Sequence, residues 1–291
     1  MLSIIIVNWN TKDYLQRCLA SIFKHPPDGD WEVLVIDNGS KDSSAEMCSL
    51  EFPEVRLFAL PGNIGYAAAN NLGFRESRGE FLLTLNPDTE FFDDSLSKAV
   101  RLMKEAMEVG ALAGRLLNPD GTTQRSIRSF PTPLALFWQV TGFSNLFPRS
   151  RFFNAYRMPD FDYSKEADVE QPMGSFLMFR KKAIEEVGLM DEQFPIFFNE
   201  VDLLYRMRLR GWKIRYSPEV RVIHHGGAST RRVRKAMIWE SHRSLIRYYR
   251  KWYFHGWNIV LFPFFVAAVY IAAFIRARGF HAGFRPDPIN L

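Results

Sequence analysis

The sequence predicts an α/β fold: a mostly parallel sheet flanked by helices, followed by a carboxyl-terminal amphipathic or membrane-associating helical segment. Three observations carry this. Short apolar, β-branched runs alternate with helix-like stretches at the spacing of βαβ units. Several of these runs stop abruptly at Asn or Asp, as strands do where they leave a sheet edge. Near its end the chain carries residues 257–275, 19 residues without a charge, preceded by a belt of aromatic and basic side chains.

Taken in order, Leu2-Ser3-Ile4-Ile5-Ile6-Val7-Asn8 is the pattern of a parallel strand buried on both faces. Thr11 is placed to cap the helix that follows, whose Tyr14, Leu15, Cys18, Leu19 and Ile22 share one face. Residues 31–36 form the second strand and stop at Asp37-Asn38-Gly39-Ser40; Lys41, Asp42, Ser43 and Ser44 open another helix, with Asp42 its expected cap or an ion-pair partner. Residues 55–59 are a short strand, 61–65 a Pro/Gly turn and 66–77 a helix. Residues 81–85 are a buried strand, and Pro87 forbids further ladder pairing. That delivers Asp88 to the carboxyl end of the strand, the edge at which open α/β sheets bind ligands. A carboxylate there either closes a turn or holds a divalent cation against phosphate. An amphipathic helix over 95–108 and a strand over 111–116 follow, and right-handed crossovers put Asn8, Asp37 and Asp88 on one edge.

Residues 118–170 are rich in Gly, Pro, Ser and Arg with an irregular apolar pattern, which predicts mobile connections and one short helix around 134–140. Regular patterns return with a strand over 174–179, helices over 182–187 and 201–210, and short strands over 214–216 and 220–224.

With 291 residues, 47% of them apolar, the chain can bury a sizeable core. A net charge of +5 suits a phosphate-bearing ligand or an anionic membrane and is too weak to indicate nucleic acid. The two cysteines, Cys18 and Cys48, form no metal spacing and no disulfide framework, so a reducing cytoplasm is expected. A strand opening at Leu2 leaves no room for a cleavable signal peptide. The turn after the first strand, Asn8-Trp9-Asn10-Thr11-Lys12-Asp13, lacks the Gly-x-Gly-x-x-Gly of a dinucleotide-dependent oxidoreductase.

Several segments in this order resemble family 2 of the inverting, nucleotide-sugar-dependent glycosyltransferases. They are Ser3-Ile4-Ile5-Ile6-Val7-Asn8, Val35-Ile36-Asp37-Asn38-Gly39-Ser40, Asn63-Ile64-Gly65, Asn70-Asn71-Leu72-Gly73 and Asn86-Pro87-Asp88. Gly188-Leu189-Met190-Asp191-Glu192-Gln193-Phe194, Asn199-Glu200-Val201-Asp202-Leu203 and His224-His225-Gly226-Gly227-Ala228-Ser229 complete the set. The bacterial rhamnosyltransferase branch, which builds cell-surface polysaccharide such as O-antigen, is the most similar. The resemblance implies a GT-A-type (Rossmann-like) catalytic domain over 1–235, with a nucleotide-sugar-binding half (1–117), the loop region (118–170) and an acceptor and catalytic half (171–235), then a membrane-associating tail (236–291).

The same resemblance implies the site. Val7, Asn8, Asn10, Asp37, Asn63, Gly65, Asn70, Asn71, Asn86, Pro87 and Asp88 would bind the nucleotide sugar, with Asp37 accepting the imide N–H of uracil or thymine. Asp88 would hold Mn²⁺ or Mg²⁺ on the diphosphate. Asn86 departs from the family's usual acid, and His224, with His225 as the neighbouring alternative, would supply a second metal ligand. Glu200 would be the catalytic base; Asp202, an i,i+4 partner for Arg206, would support it. Gly174, Ser175 and Asp191 would lie near the sugar or acceptor. Apart from the resemblance, Gln124, Arg125 and Arg128 on the irregular loop read either as a lid that clamps phosphate or acceptor or as an exposed basic loop, and Arg231, Arg232, Arg234 and Lys235 as groups that steady the diphosphate or face anionic lipid.

The implied donor is dTDP-rhamnose, with a UDP-hexose or UDP-galactofuranose as the alternative, and the implied acceptor is a lipid-linked saccharide. Residues 257–275 are long enough to span a bilayer, but Asn258 and Pro263 and the basic residues at both ends favour a helix lying in the cytoplasmic face of the membrane. A core or homo-oligomer helix is the remaining reading. No nucleic-acid partner is expected.

Overall fold

The computed structural model describes residues 1–226 and 234–278. The amino-terminal part runs β1 (Leu2–Asn8), α1 (Lys12–Lys24), β2 (Trp31–Asp37), α2 (Ser44–Glu51), β3 (Arg56–Ala59), α3 (Tyr66–Glu76), β4 (Phe81–Leu85), β5 (Thr89–Glu90), α4 (Ser95–Glu105) and β6 (Val109–Leu117). The second part runs β7 (Ile127–Arg128), α5 (Pro133–Val140), α6 (Phe143–Leu146), β8 (Ala167–Asp168), β9 (Gln171–Pro172), β10 (Phe176–Arg180), α7 (Lys181–Val187), α8 (Asn199–Leu209) and β11 (Lys213–His224), then α9 (Arg234–Trp252) and α10 (Phe262–Ala277).

The central sheet has the order β3-β2-β1-β4-β10-β6-β11-β5, with β8 on β11. β1, β2, β3 and β4 are mutually parallel, as are β6 and β11; β10 is the long antiparallel strand, inserted between β4 and β6. The sheet is buried on both faces. Ile4 and Ile6 of β1 point into a core under α1, α2 and α4, while Ile5 and Val7 point into a second core under α3, α7, α8 and α9. This two-sided burial is why β1 and β4 lack polar alternation.

Three expectations need correction. Thr11 precedes α1, but its hydroxyl donates to Asn8 Oδ1 (2.6 Å), and the Lys12 N–H is instead taken by Asp42 Oδ2 (2.9 Å) from the neighbouring loop. The two short strands expected near the end of the sheet are one strand, β11: Pro218, which has no N–H to give, falls where the register with β6 shifts between Ser217 and Arg221. Residues 118–170 hold more regular structure than one helix, including β7, α5, α6 and β8; their apolar pattern is irregular because it packs a local cluster around Trp138.

The expected tail boundary at 236 falls inside α9. Tyr248 and Tyr249 of that helix are fully buried in the second core. Gly256–Ala277 is long and apolar enough to cross a membrane, with only 11% of its most apolar window buried. Val269 and Ala273 face inward, while Trp257, Phe264 and Ile271 are exposed.

Gly39 is fixed by close approach. It has φ +74°, and a Cβ there would lie 2.5 Å from Gly62 Cα. Gly39→Ala is expected to cost about 2–4 kcal/mol, from left-handed strain plus a backbone collision that no rotamer relieves. The check is a midpoint shift in chemical denaturation; an unchanged midpoint would show that the two loops separate freely.

Candidate active site

The carboxyl ends of β1, β2 and β4 form one edge, with Asn8 and Asp37 paired in register. Asp37 is buried, and both its oxygens are held: Oδ1 accepts the Ser40 N–H (2.9 Å) and Oδ2 accepts Asn8 Nδ2 (2.9 Å). Each carboxylate oxygen keeps a further lone pair, so Asp37 is oriented and still able to accept an N–H. Asn10 Oδ1 accepts the Lys41 N–H, tying the two loops together. Asn38 donates to Asn63 Oδ1 and the Gly65 carbonyl and accepts the Ile64 N–H, which pins the 62–65 turn over this edge.

Beyond β4, the chain turns through Asn86-Pro87-Asp88 into β5, whose two residues pair with Ile223 and His224 of β11. That short ladder sets His224 beside Asp88: Nε2 lies 3.5 Å from Asp88 Oδ1, and both side chains are buried. His225 turns the other way, to Glu90 (2.8 Å) and the Tyr14 ring. His224, not His225, shares the Asp88 site.

The tautomer of His224 follows from its neighbours. Gln124 Nε2 donates to the His224 carbonyl (2.7 Å) and to Asn118 Oδ1 (2.8 Å), so Gln124 Oε1 is the acceptor of the Nδ1–H (2.9 Å). Nε2 therefore presents a lone pair, and it accepts from the Ser175 hydroxyl at 3.1 Å. Burial lowers the imidazole pKa below its ordinary value, against the opposing pull of Asp88. A neutral imidazole with its outer nitrogen fixed, next to a carboxylate, is a donor pair suited to Mn²⁺ or Mg²⁺. Among the described residues no third His, Cys, Asp or Glu joins them, so a bound cation would draw its other ligands from substrate and water.

Asn86 is a hydrogen-bond node. Its Oδ1 accepts the Tyr66 hydroxyl (3.1 Å), its Nδ2 donates to Ser175 Oγ (3.3 Å), and its N–H donates to the Ser175 carbonyl (3.0 Å). A carboxylate at 86 could not donate to Ser175, so the amide is the residue this network requires. Tyr66, absent from the sequence-based site, completes the chain Tyr66–Asn86–Ser175–His224. Burial first, then the negative charge of Glu200 and of Asp88, raises its phenol pKa far above the ordinary range. Tyr66 thus lies within electrostatic reach of both carboxylates.

Glu200 sits in the first turn of α8, half-buried, with its Cγ 3.4 Å from where a Gly174 Cβ would be. A methyl at 174 would make ordinary van der Waals contact with it. Burial pushes the Glu200 carboxyl up to about 7, opposed among the described residues by its own backbone N–H. A carboxylate with a pKa near neutrality, carrying no cation partner among the described residues, is suited to take a proton.

Residues 3–188, well over half the chain, match the family model described as Glycosyl transferase family 2. The chain belongs to that family. It is 28% identical over 263 residues to the N-acetylglucosaminyl-diphospho-decaprenol L-rhamnosyltransferase of Mycobacterium tuberculosis, covering 84% of this chain and 82% of that protein. It is 26% identical over 267 residues to the O-antigen biosynthesis protein RfbC of Myxococcus xanthus, covering 86% of this chain and 19% of that protein. Among solved structures, the mannosyltransferase PcManGT of Pyrobaculum calidifontis, in complex with GDP-Man and Mn²⁺, superposes with a TM-score of 0.57 at 16% identity, over 99% of this chain and 76% of that one. The fold is GT-A-like, and the relatives include one bacterial protein named as a rhamnosyltransferase and one named for O-antigen biosynthesis.

In this glycosyltransferase several expected site residues do structural work. Asn71 clasps Met190 through both its backbone N–H and carbonyl and also donates to Glu192, so its amide is directed into the fold instead of the cleft. Asn70 donates to the Tyr66 carbonyl, and its buried Oδ1 has no partner among the described residues. Val7 is a core residue, and Pro87 closes the turn that carries Asp88. Gly65 packs on Pro195, whose carbonyl accepts the Tyr66 and Ala67 N–H groups at the start of α3.

Asp191 and Asp202 are joined by Lys251, which reaches each at 2.7 Å, while Trp252 Nε1 and Arg206 Nε bond the two oxygens of Asp202 at 2.9 Å. The Asp202–Arg206 pair is the expected one; Lys251 and Trp252 of α9, expected in the basic and aromatic belt before the apolar segment, instead bond these carboxylates. Asp191 was expected at the sugar or acceptor, and the network turns it toward α9. Gln124, expected on a lid, is buried behind His224. Arg125 is exposed, and Arg128 stacks over Tyr156 at 5.8 Å. Lys235 is exposed on α9, while Arg231 and Arg232, like Ser229, lie outside the described residues.

Proposed function

We propose that this glycosyltransferase moves rhamnose from dTDP-rhamnose to a hydroxyl of a lipid-linked saccharide, with inversion, at the cytoplasmic face of the membrane and with Mn²⁺ or Mg²⁺. The observation that carries the reading is the Asp88–His224 pair backed by the Tyr66–Asn86–Ser175 chain, with Glu200, which has no cation partner among the described residues, set over Gly174 next to Ser175. Glu200 removes the proton of the acceptor hydroxyl as its oxygen attacks the anomeric carbon from the side opposite the diphosphate; the bond to the diphosphate breaks, and the configuration inverts. Asp88 and His224 would hold the divalent cation, which would offset the charge on the departing diphosphate. Asp37 fits an imide N–H of the base. The rhamnosyl and decaprenol terms in the name of the mycobacterial relative support the donor and the lipid-linked acceptor, and exposed α10 supports the membrane location.

The test is a thermal-shift panel with and without Mn²⁺. dTDP-rhamnose is expected to stabilise the chain most, UDP-sugars less, and CDP, whose base lacks the imide N–H, least. A larger shift with a UDP-hexose would transfer the reading to that donor; no shift with either would remove it.

A further inference from the structure

Beyond α10, a second apolar surface lies on the α5–α6 arm. Over residues 132–153 it exposes Leu134, Phe137, Phe143, Leu146, Phe147 and Phe152. These side chains stand on a packed base: the Trp138 ring meets Phe153 at 4.9 Å, Phe137 at 5.0 Å, and Phe143 and Phe152 at 5.5 Å. An exposed patch of this kind, built on rigid aromatics, marks an interaction surface.

Charge identifies what it meets. No acidic residue occurs between Asp120 and Asp160, whereas Arg125, Arg128, Arg149, Arg151 and Arg157 all fall there. The same holds after Glu240 as far as Arg278, a stretch that includes α10 and carries Arg243, Arg247, Arg250 and Arg276; Arg243 and Arg247 reach back to Glu240, and Lys251 is already held by Asp191 and Asp202. The two acid-free segments meet in space: a cavity of about 140 Å³ is lined by Leu136 and Gln139 of α5, Ser241 and His242 of α9, and Arg276 of α10. Tyr156 and Phe198 also line it, and Phe198 directly precedes Asn199-Glu200. A second copy would bring one cationic surface against another. An anionic lipid monolayer offers both the acyl boundary for the aromatics and the charge for the arginines.

We propose that the α5–α6 arm is a second membrane foot, inserting its exposed Phe and Leu side chains into the headgroup–acyl boundary of an anionic bilayer beside α10. This deepens the membrane part of the proposed function and rests on it. Two feet on either side of the Phe198 cavity hold the start of α8, and so Glu200, facing the lipid surface from which a lipid-linked acceptor projects.

The test uses the full chain. Cys18 and Cys48 are both buried, so a cysteine introduced by Leu146→Cys accepts an environment-sensitive dye selectively; Leu50→Cys on α2, also exposed, is the control. Vesicles of phosphatidylcholine with phosphatidylglycerol are expected to shift the Leu146-site emission to the blue with a several-fold rise, quenched by doxyl-labelled lipid, and to leave the Leu50-site emission unchanged. Co-sedimentation with vesicles but a silent Leu146-site dye would overturn the arm and leave the α10 reading standing. Failure to co-sediment would remove both. Emission already blue-shifted without vesicles, and reverting on dilution, would identify a second copy and overturn the proposal.

Discussion

Glu200→Gln is expected to lower kcat by about 10³-fold, within the range a positioned general base contributes, while donor affinity stays near that of the parent chain. The amide keeps the shape packed against Gly174 and removes only the basicity. Because burial pushes the Glu200 carboxyl up to about 7, the parent's kcat should climb between roughly pH 6 and 8 as the carboxylate forms, and the variant should lose that limb. Stability moves the other way. The folded-state pKa lies above the unfolded value of 4.5, so the folded form binds the proton more tightly. The stability this contributes is complete below the unfolded pKa and is lost as pH rises through about 7. The loss is roughly 3 kcal/mol at about 1.4 kcal/mol per unit. Glu200→Gln buries no charge at any pH, so its melting temperature should exceed the parent's at pH 8 and approach it at pH 5. A variant that kept turnover within tenfold of the parent would move the base to another residue.

The parallel strands β1, β2 and β4 and their shared edge were legible because a doubly buried parallel strand leaves an unambiguous apolar run, and these runs ended in the residues that line the edge. What stayed hidden was made by contacts too short or too distant to have a pattern. β5 has two residues and no periodicity, yet its ladder with β11 is what sets His224 against Asp88. Asn86 looked like a weakened metal ligand; its role emerges only with Tyr66 and Ser175 on either side, since it must accept from one and donate to the other. Lys251 lies 60 residues from Asp191, and nothing in a basic stretch announces which cation bridges two carboxylates. Gln124 was read as a lid or exposed loop residue for the same reason: one side chain buried from an irregular segment carries no signal.

Gln124 also separates two accounts of His224. If His224 is only a buried core histidine, Gln124→Leu should cost stability and leave metal dependence alone. If His224 is a metal ligand, Gln124 fixes its tautomer by accepting the Nδ1–H, and its loss lets the ring turn or protonate at Nε2. Gln124→Leu is then expected to raise the Mn²⁺ concentration needed for half-maximal activity about 10–100-fold, with most of the turnover restored at saturating metal. His224→Ala should fall further, by about 10²-fold or more in kcat/KM, without recovery at high Mn²⁺, because the ligand itself is gone. Manganese binding followed by electron paramagnetic resonance, in the presence of the nucleoside diphosphate, reads the same order without relying on turnover. Parent-like Mn²⁺ titration by Gln124→Leu, together with full metal binding by His224→Ala, would leave Asp88 as the protein's sole anchor and assign the His224–Gln124–Ser175 chain to holding β11 against the Asn86 turn.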